Sequence, residues 1–169
     1  MKQNSALLMG LAISLLLPSF VSAQSKFGVL TGDQVKKVVP SVYFFRGQSA
    51  TVQLRNSAGF TVAGGKYVLA GLVDTSGYST DVAAKYQGFL ITEVQLNIEG
   101  VRLAPGQYGF GFSKQGKFLV MDVGAHDLFS VATQHDEKLA RPVPLKIIDQ
   151  EGTYRLYSGR DWVELKVSD

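Results

Sequence analysis

The chain has 169 residues, with 17 Lys and Arg against 14 Asp and Glu, which gives a formal net charge of +3 at pH 7. It contains no cysteine, so disulfides, thiol catalysis and cysteine-ligated metals are excluded. Hydrophobic residues make up 46% and charged residues only 18%, which excludes intrinsic disorder as the main state.

The first 23 residues have the pattern of a cleaved secretion signal. Lys2 precedes an apolar run over residues 6–17, Pro18 ends that run, and Val21–Ala23 resembles a signal peptidase site. The run is shorter than the roughly 20 residues that a membrane-spanning helix needs. We therefore predict cleavage after Ala23, one β-rich domain over 24–169, no membrane insertion after cleavage, and a periplasmic or secreted location.

A short helix is predicted near the start of this domain. Thr31 and Gln34 have the spacing of a capping box, in which each side chain bonds to the other residue's backbone N–H. Pro40 ends the helix, because the residue before a proline is disfavoured in helical geometry. Three valines lie on one face of this helix: Val35, Val38 and Val39.

From Ser41 onward, apolar residues recur with period two between turn residues, which is typical of antiparallel strands. We predict turns at Asn56–Gly59 and Gly64–Gly65, followed by a strand over Lys66–Val73 that is covered on both faces. In all, about ten strands are expected. The predicted fold is therefore all-β, either an antiparallel β-sandwich or a closed β-barrel, with the short helix at its N-terminal end.

Two long connections interrupt the regular strand spacing. In Asp74–Gly88, Thr80 or Asp81 is predicted to cap a turn or two of helix. In Gln134–Pro142, a helical turn is predicted over residues 136–140. Binding residues often lie on long loops of a rigid scaffold, so Asp74–Gly88 is the candidate contact loop or lid.

Both histidines stand beside acidic residues, as metal ligands or general bases often do. His126 and His135 flank a predicted strand, which separates them by roughly 30 Å, so they do not share a site. We predict no metal site and expect each histidine to be either solvated or a cap at a strand end. Asp122 is either a poised acid or, as we favour, a carboxylate that meets a backbone amide or an arginine near its strand's end.

No complete catalytic motif is present. Residues 111–116 miss the serine-hydrolase elbow by one position, and there is no zinc-protease or phosphate-loop pattern. We predict no catalytic residues and no cofactor. The alternative is a hydrolase of envelope or extracellular polysaccharide that uses two of several scattered acids. These are Asp74, Asp81, Glu93, Glu99, Asp122 and Asp127.

Aromatic side chains are the strongest compositional feature of the predicted strands. In the strand from Tyr108 to Ser113, three aromatics share one face, while Gly109 and Gly111 lie on the other. These aromatics are either core or the lining of a ligand cavity. The predicted ligand-binding residues are Tyr78, Tyr86, Tyr108, Phe110 and Phe112.

The predicted function is therefore non-catalytic binding of a small apolar ligand or of another envelope component. A structural subunit that pairs through an edge strand is a further hypothesis. Basic residues never form a run longer than Lys36–Lys37 and alternate with acids elsewhere, so no nucleic-acid partner is expected.

Overall fold

The computed structural model describes residues 28–168, so the predicted signal over 1–23 lies outside the described residues. These residues form two antiparallel sheets, two short α-helices and a single 3₁₀ turn over Ala63–Gly65, which confirms the all-β prediction. Neither sheet closes on itself within the described residues. This part of the chain holds fourteen strands where about ten were predicted, because several have only two or three residues.

The elements in chain order are β1 (Gly28–Val29), α1 (Gly32–Val38), β2 (Val42–Phe45), β3 (Gln48–Val62), β4 (Lys66–Val73), α2 (Thr80–Ala83), β5 (Gly88–Thr92), β6 (Leu96–Ile98), β7 (Val101–Leu103), β8 (Gly106–Ser113), β9 (Lys117–Met121), β10 (Asp127–Ala132), β11 (Gln134–His135), β12 (Val143–Gln150), β13 (Thr153–Gly159) and β14 (Asp161–Val167). The first sheet has the order β1-β3-β4-β5-β8-β9-β10, and β2 pairs with β3. The second sheet has the order β12-β13-β14-β6-β7, and β11 pairs with β14.

The two sheets share an inner hydrophobic core. Phe60 of the first sheet stacks on Tyr154 of the second with ring centroids 3.6 Å apart. Phe110, Leu156 and Val163 are fully buried in the same cluster. Burial of each such side chain contributes roughly 1.5–3 kcal/mol, so this core joins the two sheets.

A second hydrophobic cluster covers the opposite face of the first sheet. It is formed by α1, α2 and the β2–β3 hairpin, which inserts Tyr43 and Phe45 toward the sheet. Strand β4 contributes to both clusters, with Val68 on the inner side and Leu69 on the outer side. The prediction that Lys66–Val73 is covered on both faces is therefore confirmed.

The predicted capping box is present at the start of α1. The Thr31 backbone N–H donates to Gln34 Oε1 at 2.8 Å, and the Gln34 N–H donates to Thr31 Oγ1 at 3.4 Å. Val35 and Val39 are buried, and the helix ends at Val38, just before the proline. This element was predicted correctly because its capping and stop signals are local in sequence.

The predicted turn at Asn56–Gly59 is wrong, since β3 runs through it without a break. The register against β4 shifts between Val52 and Ser57, which is the signature of a bulge. Gly59 is needed for close packing, because a Cβ there would lie 2.7 Å from Leu69 Cδ2. At the next predicted turn, Gly64 and Gly65 have φ of 78° and 72°, and that prediction is confirmed.

Both long connections differ in detail from their predictions. Helix α2 has Ser79 as its N-cap, instead of Thr80 or Asp81. The predicted helical turn over 136–140 is wrong, because residues 134–135 pair with β14 and the Asp136 carboxylate closes a short turn on the Lys138 N–H. No helix within residues 28–168 has the length and apolarity to cross a membrane.

Candidate functional site

The structure divides the five predicted ligand-binding residues between two separate clusters. Phe110 and Phe112 belong to the inner core, and Tyr108 packs against it. Tyr78 and Tyr86 lie in the outer cluster on the other face of the first sheet. The five residues are therefore not brought together in one site, and their role as ligand contacts stays a prediction.

In the outer cluster, the two predicted tyrosines have packing roles. Tyr86 stacks on Phe45 with ring centroids 3.8 Å apart, and Tyr78 donates its hydroxyl to the Phe45 carbonyl at 3.1 Å. The Tyr86 hydroxyl is buried and has no hydrogen-bond partner among the described residues. Burial raises the pKa of Tyr86 well above its usual range, and the nearby Tyr78 and Tyr43 hydroxyls add to this. The Tyr86 phenol therefore stays neutral.

Gly109 and Gly111 allow the outer layer to approach β8 closely. A Cβ on Gly109 would overlap the Phe45 ring, and a Cβ on Gly111 would overlap the Lys85 backbone carbonyl. The space behind these glycines is therefore filled by the β2–β3 hairpin and by the segment after α2. Close backbone approach is the ordinary reason for glycine within a strand.

His126 and Asp122 form one local turn at the end of β9. The Asp122 carboxylate accepts hydrogen bonds from the Gly124 and His126 backbone N–H groups at 2.8 and 2.9 Å. The bond from the His126 backbone, followed by that from its side chain, lowers the pKa of Asp122. The prediction that Asp122 meets a backbone amide near its strand's end is confirmed.

His135 lies in the second sheet, away from the first histidine's turn. Its Nδ1 lies 2.6 Å from Asp161 Oδ1, which belongs to the facing strand β14. Each histidine thus pairs with its own aspartate. Within residues 28–168, no group of three or more His, Asp and Glu side chains could hold a metal ion.

Most of the acids considered for a hydrolase are engaged in structural contacts. Glu93 accepts the Tyr67 backbone N–H, and Asp127 pairs with Lys85 at 2.8 Å. Asp74, Glu99 and Asp122 likewise accept backbone N–H groups: those of Ser76, Glu164, Gly124 and His126. Asp81 differs from them, because its carboxylate makes no such contact within the described residues.

The outward face of the second sheet collects basic side chains from four strands. Pairing places Lys146 opposite Tyr157, and Arg155 opposite Glu164. Farther along the sheet, Lys166 of β14 pairs with Asn97, which in turn pairs with Arg102 of β7. We call the set of Lys146, Arg155, Lys166 and Arg102 the cationic face.

Strand periodicity explains why these four side chains point the same way. Their sequence neighbours Leu156, Leu165 and Leu103 are buried in the inner core, so alternate positions must face outward. From Lys146 to Arg155 the spacing is one strand across and two residues along, which is about 8 Å between Cα atoms. The step to Lys166 repeats it, so three cations form a diagonal line across the sheet.

Aromatic rings hold part of the cationic face in place. The Arg155 guanidinium lies over the Trp162 ring at 4.0 Å, and Lys146 Nζ lies 5.7 Å from the Tyr157 ring centroid. Such cation–π contacts restrict long side chains that are otherwise mobile. A shallow depression of about 410 Å³ adjoins Arg155 and Trp162. Its other lining residues are His135, Asp136, Glu137 and Lys138.

This face cannot be recognised from the sequence, because its four cations are scattered along the chain. Among the outward positions that pair across these described strands, Glu164 is the only acidic residue. The signal is one basic residue at an outward position of each of these strands. It can be recognised only when the order of the strands in the sheet is known. Compared with known proteins, the chain matches no family model, no curated protein and no solved structure.

Proposed function

We propose that this protein is a non-catalytic binding protein that holds an extended acidic polysaccharide of the cell envelope on its cationic face. In this proposal, the two sheets act as a β-sandwich scaffold that keeps the face flat. The observation that carries it is the imbalance of charge, with four basic side chains and one acidic side chain at the paired outward positions. The acids Asp136 and Glu137 line the depression beside Arg155, but on the strands themselves the basic residues are in excess. An excess of one charge sign attracts a polymer of the other.

The shape of the face favours a polymer over a small molecule. Three of its cations follow one diagonal, in steps of about 8 Å, and their side chains are partly or fully exposed. A linear polyanion can contact all three at once, and each contact keeps the others at high effective concentration. A small ligand would reach only one or two of them.

The aromatic rings favour a polysaccharide over single-stranded nucleic acid. Proteins that bind single strands offer free aromatic faces on which bases stack. Here Arg155 covers one face of Trp162, and Tyr157 is only 2% exposed. The predicted export of the chain also favours an envelope polysaccharide as the partner.

The test measures binding of a polyuronate, alginate, by isothermal titration calorimetry at about 50 and 200 mM salt. We expect saturable binding that weakens with salt, because each neutralised charge releases a counterion. The triple variant Lys146→Gln, Arg155→Gln, Lys166→Gln should bind at least about tenfold more weakly, with a shallower dependence on salt.

The matched control removes the same charge elsewhere, with Lys37→Gln, Lys66→Gln and Lys114→Gln. All three are exposed and lie outside the cationic face. Equal weakening in both triple variants would contradict the proposal, as would equal binding of neutral dextran. Binding of single-stranded DNA as tight as that of alginate would point to a general polyanion surface instead. Release of reducing ends from alginate would favour the hydrolase alternative.

A further inference from the structure

A small cleft lies on the other side of the molecule, over the outward face of the first sheet. Its volume is about 120 Å³. Four segments converge on it: the β2–β3 turn, α2 with the residues after it, the end of β9, and the loop before β10. Its lining residues are Arg46, Asp81, Val82, Lys85, Met121 and Ala125.

Two opposite charges in this cleft lack partners. Within residues 28–168, neither the Arg46 guanidinium nor the Asp81 carboxylate makes a hydrogen bond or an ion pair. The third charged group, Lys85, is already paired with Asp127 at 2.8 Å. The cleft therefore offers one free cation and one free anion, and both residues are exposed, so a ligand can reach them from solvent.

The most deeply buried part of the cleft's lining is apolar. Val82 and Met121 line the cleft and are 7% and 1% exposed, so they are fixed parts of the outer cluster. A cavity of about 150 Å³ lined by apolar side chains accepts benzene. A cleft of about 120 Å³ therefore has room for a branched side chain of three or four carbons.

Backbone contacts fix the position of Arg46. Its N–H donates to the Val123 carbonyl at 2.7 Å, which joins the β2–β3 turn to the loop before β10. Arg46 and Gly47 have φ of 48° and 81°, as a two-residue hairpin turn requires. Asparagine is favoured over arginine at such a position, so the guanidinium can be removed there without straining the turn.

We propose that this cleft binds a small zwitterion of the amino-acid class. The ligand's carboxylate pairs with Arg46, its ammonium group pairs with Asp81, and its apolar side chain lies on Val82 and Met121. Each partner charge is needed, because a ligand with only one of them leaves the other cleft charge unpaired. This site is separate from the cationic face and differs from it in ligand chemistry.

The test titrates L-valine into the ¹⁵N-labelled protein and follows the amide signals of Val82 and Ala125 by NMR. Isovalerate, which lacks the ammonium group, and isobutylamine, which lacks the carboxylate, are titrated in parallel. We expect valine to shift both signals in a saturable way and to bind at least about tenfold more tightly than either analogue. Absence of saturable shifts up to about 20 mM valine would overturn the proposal. Equal binding of isovalerate would also overturn it.

Two variants test whether Arg46 and Asp81 bind the two charged groups of valine, and a third variant is the matched control. Arg46→Asn and Asp81→Asn should each weaken valine binding at least about tenfold while leaving the rest of the amide spectrum unchanged. The control is Glu151→Asn, because Glu151 has φ of 53° in the same kind of charged residue–glycine turn, far along the chain in the β12–β13 hairpin. Undiminished valine binding by Arg46→Asn, or equal loss in Glu151→Asn, would refute the assignment.

Discussion

Replacement of Gly111 by alanine tests whether close approach of the outer layer holds the fold together. The added methyl group would overlap the backbone carbonyl oxygen of Lys85. This carbonyl cannot retreat freely, because the next residues are tied to β8. The Gln87 N–H donates to the Phe110 carbonyl at 2.8 Å, and the Gln87 side chain bonds to both the N–H and the carbonyl of Phe112 at 2.9 Å.

The expected loss of stability follows from these contacts. Overpacking of a well-packed region costs about 1–3 kcal/mol. Weakening of the Gln87 bonds adds about 1 kcal/mol. We therefore expect Gly111→Ala to lower the free energy of unfolding by about 3 kcal/mol. At roughly 4 °C per kcal/mol for a domain of this size, Tm should fall by about 12 °C.

Urea unfolding followed by far-UV circular dichroism and by Trp162 fluorescence measures the loss. The matched control is Gly32→Ala at the start of α1, where a Cβ has no atom within 4 Å. This control should be neutral or slightly stabilising, because alanine is less flexible than glycine in the unfolded chain. If Gly111→Ala stays within 1 kcal/mol of the wild type, the close approach has no energetic role.

Three further predictions concern local contacts. Thr31→Ala removes the acceptor for the Gln34 N–H, so it should lower the free energy of unfolding by about 1 kcal/mol in urea titrations. An unchanged urea midpoint would mean that the cap contributes nothing to stability. Asp122→Asn should be less stable than the wild type at pH 7. The folded-state pKa of Asp122 lies below 3.8, so the stability difference between the two proteins should disappear as the pH falls below about 4 and through that pKa. A stability difference that stays constant down to about pH 2 would contradict this prediction. Tyr86→Phe should unfold at the same or a higher urea concentration, because the hydroxyl it removes has no hydrogen-bond partner among the described residues, and a loss above 1 kcal/mol would reveal one.

Features encoded by neighbouring residues could be predicted from the sequence. The capping box of α1 depends on two residues three positions apart. The Gly64–Gly65 turn depends on positive φ at adjacent glycines, and the double coverage of β4 depends on an uninterrupted apolar run. In each case, the residues that determine the feature lie within about ten positions of one another, so the sequence alone is enough to predict it.

Features set by contacts between distant segments could not be predicted. Asn56–Gly59 has the composition of a turn, yet pairing with β4 keeps it extended. Gly59 lies against the Leu69 side chain, which leaves no room for a Cβ at this position. The sequence shows Tyr78 and Tyr86 in a long connection and Phe110 and Phe112 in a strand, but it does not show where the two pairs lie relative to each other. Only the strand order shows that the two pairs lie on opposite faces of the first sheet.

The layered arrangement makes the two proposed sites independent of each other. The zwitterion cleft lies over the outward face of the first sheet, whereas the cationic face is the outward face of the second sheet. The inner core separates them. Because Gly111 contacts the segment that carries Lys85, the Gly111→Ala change should disturb valine binding but leave alginate binding intact under conditions where the variant is folded. Loss of both activities together would mean that the first sheet transmits the disturbance across the core.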